Sequence, residues 1–123
     1  MPVDDSRLPG FYRLSVEDRR AKVAELSNLS QDEISALSKT GELDELAADR
    51  MIENVIGTMS LPVGVATNFV IDGKPYLIPF CVEESSIIAA ASNMAKRCLK
   101  NGGFRTSSDD SIMIAQIQVL DLE

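Results

Sequence analysis

Glu83 and Glu84 stand side by side in Phe80-Cys-Val-Glu-Glu-Ser-Ser-Ile-Ile-Ala-Ala-Ala-Ser92, between an apolar run and an alanine-rich segment. Adjacent carboxyl groups entering a dry region can serve as an acid/base device. Burial disfavours the charged form and a like charge beside it does the same, so both raise a carboxyl pKa toward the range of a general acid. A solvated strand-to-helix junction is the other reading of the same residues, and the pair alone does not separate the two. Other chemistries find less support. Cys81 and Cys98 lack CxxC spacing and sit in apolar surroundings, the pattern of buried, reduced thiols. The chain has no histidine, so a zinc site is not expected, and neither a Ser-His-Asp nor a Cys-His device is available within it.

The elements that must position the glutamates are legible on both sides. Asp72-Gly73 separates Gly64-Val-Ala-Thr-Asn-Phe-Val-Ile71 from Tyr76-Leu-Ile-Pro-Phe-Cys-Val82, and an Asp-Gly between two apolar, β-branched runs predicts a hairpin. Pro79 cannot donate to a ladder and is expected at an edge or a bulge. Ser86 to Lys100 reads as a helix apolar nearly all round, hence buried on most sides, and closed by Asn101-Gly102-Gly103. Upstream, Pro2 and Pro9 make residues 1–14 an extended arm. Ser15-Val-Glu-Asp18 and Ser30-Gln-Asp-Glu33 have the form of capping boxes. They open one helix through Leu26 and a second that stops at Gly41. A third spans about 43–54, with Leu43, Leu46, Ala47 and Met51 on one face. Asp18 with Lys22 reads as a solvated pair.

Composition narrows the class. The 123 residues are 45% hydrophobic and 25% charged, with 5% aromatics and no tryptophan, which predicts a globular chain with an aliphatic core. A net charge of −7 repels phosphate backbones, so nucleic acid is not an expected partner. An anionic ligand would need a local basic group or a helix N-terminus. No signal peptide is visible and no apolar run is long enough to span a bilayer, so a soluble, cytoplasmic chain without membrane partners is expected. After the polar joint Ser107–Ser111, Ile112-Met-Ile-Ala-Gln-Ile-Gln-Val-Leu120 begins a strand with no obvious partner upstream, as in a piece of something longer.

Several phrases together resemble the 3-hydroxy-3-methylglutaryl-CoA (HMG-CoA) reductase family. They are Met51-Ile-Glu-Asn-Val-Ile-Gly57, Leu61-Pro-Val-Gly-Val-Ala66, Val82-Glu-Glu84 followed by a serine and Ile-Ile-Ala-Ala-Ala-Ser, and Asn101-Gly-Gly-Phe104. Asp5-Ser-Arg-Leu-Pro-Gly-Phe-Tyr-Arg-Leu-Ser15 is similar to the soluble bacterial and archaeal branch, class II. The resemblance implies an α/β (α+β) fold: a large substrate-binding and dimerisation domain interrupted by a small nucleotide-binding one. Residues 1–108 would be the first segment of the large domain and 111–123 the first strand of the small one.

The resemblance also implies the reduction of HMG-CoA to mevalonate with two NADH or NADPH and release of CoA, in a homodimer or higher homo-oligomer, with no metal. By the same resemblance Glu84 is the catalytic carboxyl and Ser86 lies close to the HMG portion of the substrate. Glu53 and Asn54 would lie at the dimer interface beside the active site. The family's catalytic lysine, aspartate and histidine, and its cofactor-binding glycines, have no counterpart in this chain, which alone is expected to be inactive. Ser85 stands where the family commonly has proline, and its hydroxyl can cap the following helix. A free-standing binding or oligomerisation module is the alternative function.

Overall fold

The computed structural model describes residues 1–38 and 43–120. Its helices and strands are α1 (Val16–Ser27), α2 (Gln31–Ser38), α3 (Glu45–Met51), β1 (Val63–Ile71), β2 (Lys74–Cys81) and α4 (Ile87–Cys98). Single 3-10 turns occupy Phe11–Arg13 and Leu99–Asn101. This is a mixed α/β chain, as expected.

Side chains start the first three helices. Ser15 Oγ accepts the Asp18 N–H at 3.0 Å and donates to the Asp18 carboxylate at 2.7 Å. At α2 the box is reciprocal: the Glu33 N–H donates to Ser30 Oγ at 3.3 Å and the Ser30 N–H to the Glu33 carboxylate at 2.7 Å. The Ser30 N–H and hydroxyl hold the Glu33 carboxyl below its ordinary range, because they bind its charged form. α1 ends on Asn28 in the left-handed region (φ 51°) and packs against α2. The predicted stop of α2 at Gly41 lies outside the described residues.

α3 is shorter than the predicted 43–54 helix. The Asp44 carboxylate accepts the Ala47 N–H at 2.7 Å, and Ile52 already has extended dihedrals. Leu43, Leu46 and Met51 are exposed and Ala48 is the buried residue, so the apolar face read from the sequence is turned to solvent. Lys22 pairs with Glu25 at 2.8 Å rather than with Asp18, whose carboxylate is held by the cap.

The hairpin forms at the predicted turn. Asp72 (φ 49°) and Gly73 (φ 79°) are both left-handed, the pair of dihedrals that matches the twist of two antiparallel strands. The register runs from Ile71 opposite Lys74 to Val63 opposite Cys81, with one irregularity. Between the pairs Ala66–Ile78 and Phe69–Tyr76, Thr67 and Asn68 together oppose Leu77, a β-bulge with Asn68 at φ 67°.

Both outer edges of the hairpin are partly covered. Along β2, Leu77 exchanges hydrogen bonds with Met1 (2.9 and 3.1 Å), and the Val3 N–H donates to the Pro75 carbonyl at 3.1 Å. Polar groups alternate sides along a strand, so Pro75 and Pro79 turn their missing donors the same way as Leu77, away from β1. Neither proline therefore interrupts the ladder, and Pro79 lies past the end of the arm, on an edge as expected. Along β1, the Phe104 N–H donates to the Val70 carbonyl (2.8 Å) and its carbonyl accepts the Asp72 N–H (2.9 Å). The Phe69 and Phe104 rings stack at 5.4 Å. Gly103 (φ 90°) is required there, since a Cβ would collide with the Val70 carbonyl oxygen.

α4 lies on β1, with Ala66, Leu77 and Ala95 fully buried. A Cβ on Gly64 would occupy the place of the Ile88 Cδ1 atom, so the missing side chain lets α4 approach the strand. Contrary to the expectation of all-round burial, α4 covers one stripe, from Ile88 through Ser92 and Ala95 to Leu99. Ile87, Ala89, Ala90 and Met94 are exposed. The thiols also differ from expectation: Cys81 is exposed at the end of β2 and Cys98 half-buried, both free. Residues 105–120 carry no regular element, although a strand is predicted from Ile112. Strands exist by pairing, and Ile112, Met113, Ile114, Ile117, Val119 and Leu120 are all exposed, with no strand beside them among the described residues.

Candidate functional site

The two glutamates occupy a four-residue bridge between two fixed points. At its near end the Val82 N–H donates to the Pro62 carbonyl at 3.2 Å, pinning the end of β2 to the chain that enters β1. At its far end the Ser86 carbonyl accepts the Ala90 N–H at 2.8 Å and opens α4. Glu83, Glu84, Ser85 and Ser86 are all exposed, so the burial that would favour a proton-holding carboxyl is not supplied by the described residues. The cap also differs from the one read in the sequence. Ser86, not Ser85, is the N-cap, it is left-handed (φ 73°), and its side chain makes no capping hydrogen bond.

Glu53 and Asn54 lie in the turn after α3, exposed, with Asn54 at φ 56°. Among the described residues no hydrogen bond or ion pair joins them to Glu84 or Ser86. The bridge itself brings Glu84 and Ser86 within two residues of each other.

Beside the bridge an open groove of about 1270 Å³ runs between α4 with β1 on one wall and α1 with α2 on the other. Ser86, Ile88 and Ser92 line one side, and Val16, Val23 and Leu37 the other. Its rim carries Arg7, Arg19, Arg20 and Lys96, a local cationic region on an acidic chain. Arg7 is already bound to Asp5 by bonds of 2.9 and 3.0 Å, which hold the Asp5 carboxyl below its ordinary range, and Arg19 donates to the Leu14 carbonyl at 3.1 Å.

A polar knot that sequence reasoning missed joins the arm, β1 and α4. The Asn68 amide donates to the Ser92 carbonyl and to Thr67 Oγ1, both at 3.1 Å. The Thr67 N–H donates to Ser92 Oγ at 3.0 Å, and the Asn68 N–H to the carbonyl of fully buried Ser6 at 2.8 Å. Ser6 Oγ in turn donates to the Phe69 carbonyl at 2.8 Å. The available signal was Asn68 itself, a poor strand former in a β-branched run, which marks a bulge.

No cradle for a dinucleotide is found among the described residues. The paired glycines Gly102 and Gly103 do not open a helix, and the space beside Gly103 is filled by Val70. Among the described residues, too, no helix is long and apolar enough to cross a membrane.

Comparison with known proteins places these features in a wider frame. Residues 15–123 match the family model described as hydroxymethylglutaryl-coenzyme A reductase. The chain is 58% identical over 118 residues, 95% of its length, to 3-hydroxy-3-methylglutaryl-coenzyme A reductase of Archaeoglobus fulgidus, and covers 27% of that protein. It is 44% identical over 69 residues, 56% of its length, to a probable reductase of the same name from Borreliella burgdorferi, covering 16% of it. Among solved structures it is similar to the class II reductase of Streptococcus pneumoniae bound to NADPH in open conformations. The TM-score is 0.71 and the identity 33%, over 79% of this chain and 26% of that one. The chain therefore spans about a quarter of the length of the archaeal and streptococcal proteins it matches.

Proposed function

Since this chain belongs to the hydroxymethylglutaryl-coenzyme A reductase family, we propose that it is the N-terminal part of an enzyme that reduces HMG-CoA to mevalonate with NADH or NADPH and releases CoA. The observation that carries this reading is the 58% identity to the archaeal reductase across 95% of the chain. In this reading residues 1–108 begin the large domain and 111–123 the small nucleotide-binding one. The exposed apolar run from Ile112 to Leu120 supports that division, because such a segment needs sheet partners.

Glu84 is the proton donor. As the thioester carbonyl and then the aldehyde carbonyl are reduced, negative charge gathers on oxygen, and a carboxylic acid held at that oxygen neutralises it. The nicotinamide cofactor supplies the hydride and is held by residues outside this chain. Ser86 has its hydroxyl free of any capping bond, which leaves it available to the HMG portion of the substrate. A carboxyl that donates a proton near neutral pH needs cover from water. Glu84 receives that cover from further chain and from a second subunit, with Glu53 and Asn54 at the subunit interface. The parent is cytoplasmic and at least a homodimer.

The test is steady-state kinetics of Glu84→Gln and Glu83→Gln in a reductase of the relatives' full length, with HMG-CoA binding measured separately. Glu84→Gln lowers kcat by about 10²–10⁴-fold and leaves binding nearly unchanged, and Glu83→Gln is milder. Turnover abolished by Glu83→Gln but intact in Glu84→Gln would move the role to the neighbouring carboxyl. No effect from either would return both glutamates to a solvated junction.

A further inference from the structure

We propose that Asn68 is a positioning residue for Glu84: it fixes how far along β1 the helix α4 sits, and thereby where the glutamate bridge is held. The inference rests on the reading of Glu84 as the proton donor. Three observations carry it.

The first is the bulge. An extra residue in β1 releases the Thr67 N–H from pairing across the hairpin and re-aims it, and it is taken by Ser92 Oγ at 3.0 Å. The second is the backbone of Asn68, which is left-handed (φ 67°) within a strand. Asparagine tolerates this conformation better than other residues with a side chain. Glycine would tolerate it too, but only asparagine also brings an amide that reaches the Ser92 carbonyl at 3.1 Å. Two bonds from adjacent residues to one helical residue define both the height and the rotation of α4.

The third is the lever between that contact and the site. Ser92 lies six residues beyond Ser86, about 9 Å along the helix axis. The bridge is tied at its other end to Pro62 through Val82. A short bridge between two anchors transmits any shift of one anchor to the residues between them. The rest of the α4 stripe is apolar and sets no hydrogen-bond direction. Between Ile88, whose tip sits at the side-chain-free Gly64, and Leu99, the stripe presents only the small side chains of Ala91 and Ala95 besides Ser92. The hydrogen bonds to Ser92 supply the directional constraint.

The experiment is a double-mutant cycle in the full-length reductase: wild type, Asn68→Gly, Glu84→Gln and both together, with kcat and KM measured for each. Glycine keeps the left-handed backbone and removes only the amide. We expect Asn68→Gly to lower kcat by about 10- to 100-fold, the scale of an ångström-level misplacement, with KM little changed. In the Glu84→Gln background the same substitution should add little, because groups acting as a unit do not contribute independently. Equal losses in both backgrounds, or an unchanged kcat in folded Asn68→Gly, overturn the proposal. Should Asn68→Gly fail to fold by circular dichroism, the same cycle with Asn68→Asp, which also suits the left-handed backbone but cannot donate to the Ser92 carbonyl, carries the same expectations.

Amide hydrogen exchange over residues 82–90 provides a readout independent of turnover. Faster exchange in Asn68→Gly than in wild type supports the placement role, and identical exchange overturns it. A wild-type protein that does not reduce HMG-CoA would defeat the proposed function, while exchange would still decide whether Asn68 positions the bridge.

Discussion

Ser86 combines two features that a purely structural helix start would avoid. It is a non-glycine residue in the left-handed region, and as N-cap it makes no side-chain hydrogen bond. The left-handed conformation costs an L-residue roughly 1–2 kcal/mol, and an uncapped first turn leaves backbone donors without a protein partner. Strain of this kind collects where a side chain is needed for something else. Ser86→Gly therefore stabilises the fold by roughly 1 kcal/mol in urea denaturation and raises the KM for HMG-CoA in the full-length reductase. A stabilised variant with unchanged KM would show that the serine hydroxyl does not meet the substrate. Glu84, two residues away, shares this bridge, so both side chains depend on the same anchors at Val82 and Ala90.

Among the elements, the hairpin turn does more than reverse the chain. The Asp72 carboxylate accepts the Thr106 N–H at 2.9 Å and the Thr106 hydroxyl as well, clasping the segment that leaves Phe104. These bonds, the hydroxyl's first, hold the Asp72 carboxyl below the ordinary aspartate value of 3.8. A carboxyl depressed in the folded state contributes stability that is present above 3.8 and is lost as pH falls through its folded value. Asp72→Asn keeps the turn, because asparagine before glycine also suits the left-handed dihedrals, and weakens the clasp. Thermal melts should show wild type above Asp72→Asn at pH 6, with the gap narrowing as pH falls below 3.8. A gap independent of pH would mean that the carboxylate charge is irrelevant to the clasp.

At the scale of the whole molecule, large apolar side chains remain in water. Ile56 and Met59 precede β1, and Ile112, Met113, Ile114 and Ile117 follow the clasp, with Ile114 91% exposed. α4 presents Ile87 and Met94 on its outer side. Exposed apolar patches and unpaired strand-forming segments recruit partners. A purified 123-residue sample should therefore self-associate at micromolar concentration in sedimentation velocity and should form no mevalonate. A compact monomer with one cooperative unfolding transition would favour the free-standing module, and mevalonate formation by this chain alone would overturn the assignment of the remaining catalytic groups to residues outside it.

Local chemistry was legible in the sequence because it depends on neighbours only a few residues apart. Ser15 and Ser30 cap α1 and α2 from three residues away, Asp72-Gly73 makes the turn, and the phrases around Glu53, Glu84 and Gly102 carry the family resemblance. Tertiary structure decided what depends on chain far away. Ser6 reaches Phe69, Asn68 reaches Ser92, and Phe104 joins Val70, none of which a local pattern specifies. Exposure belongs to the same class. Apolar residues on α3 and α4, Cys81 and the glutamate pair read as entering a dry interior, yet burial requires a facing surface, and no spacing of residues along one segment can provide it.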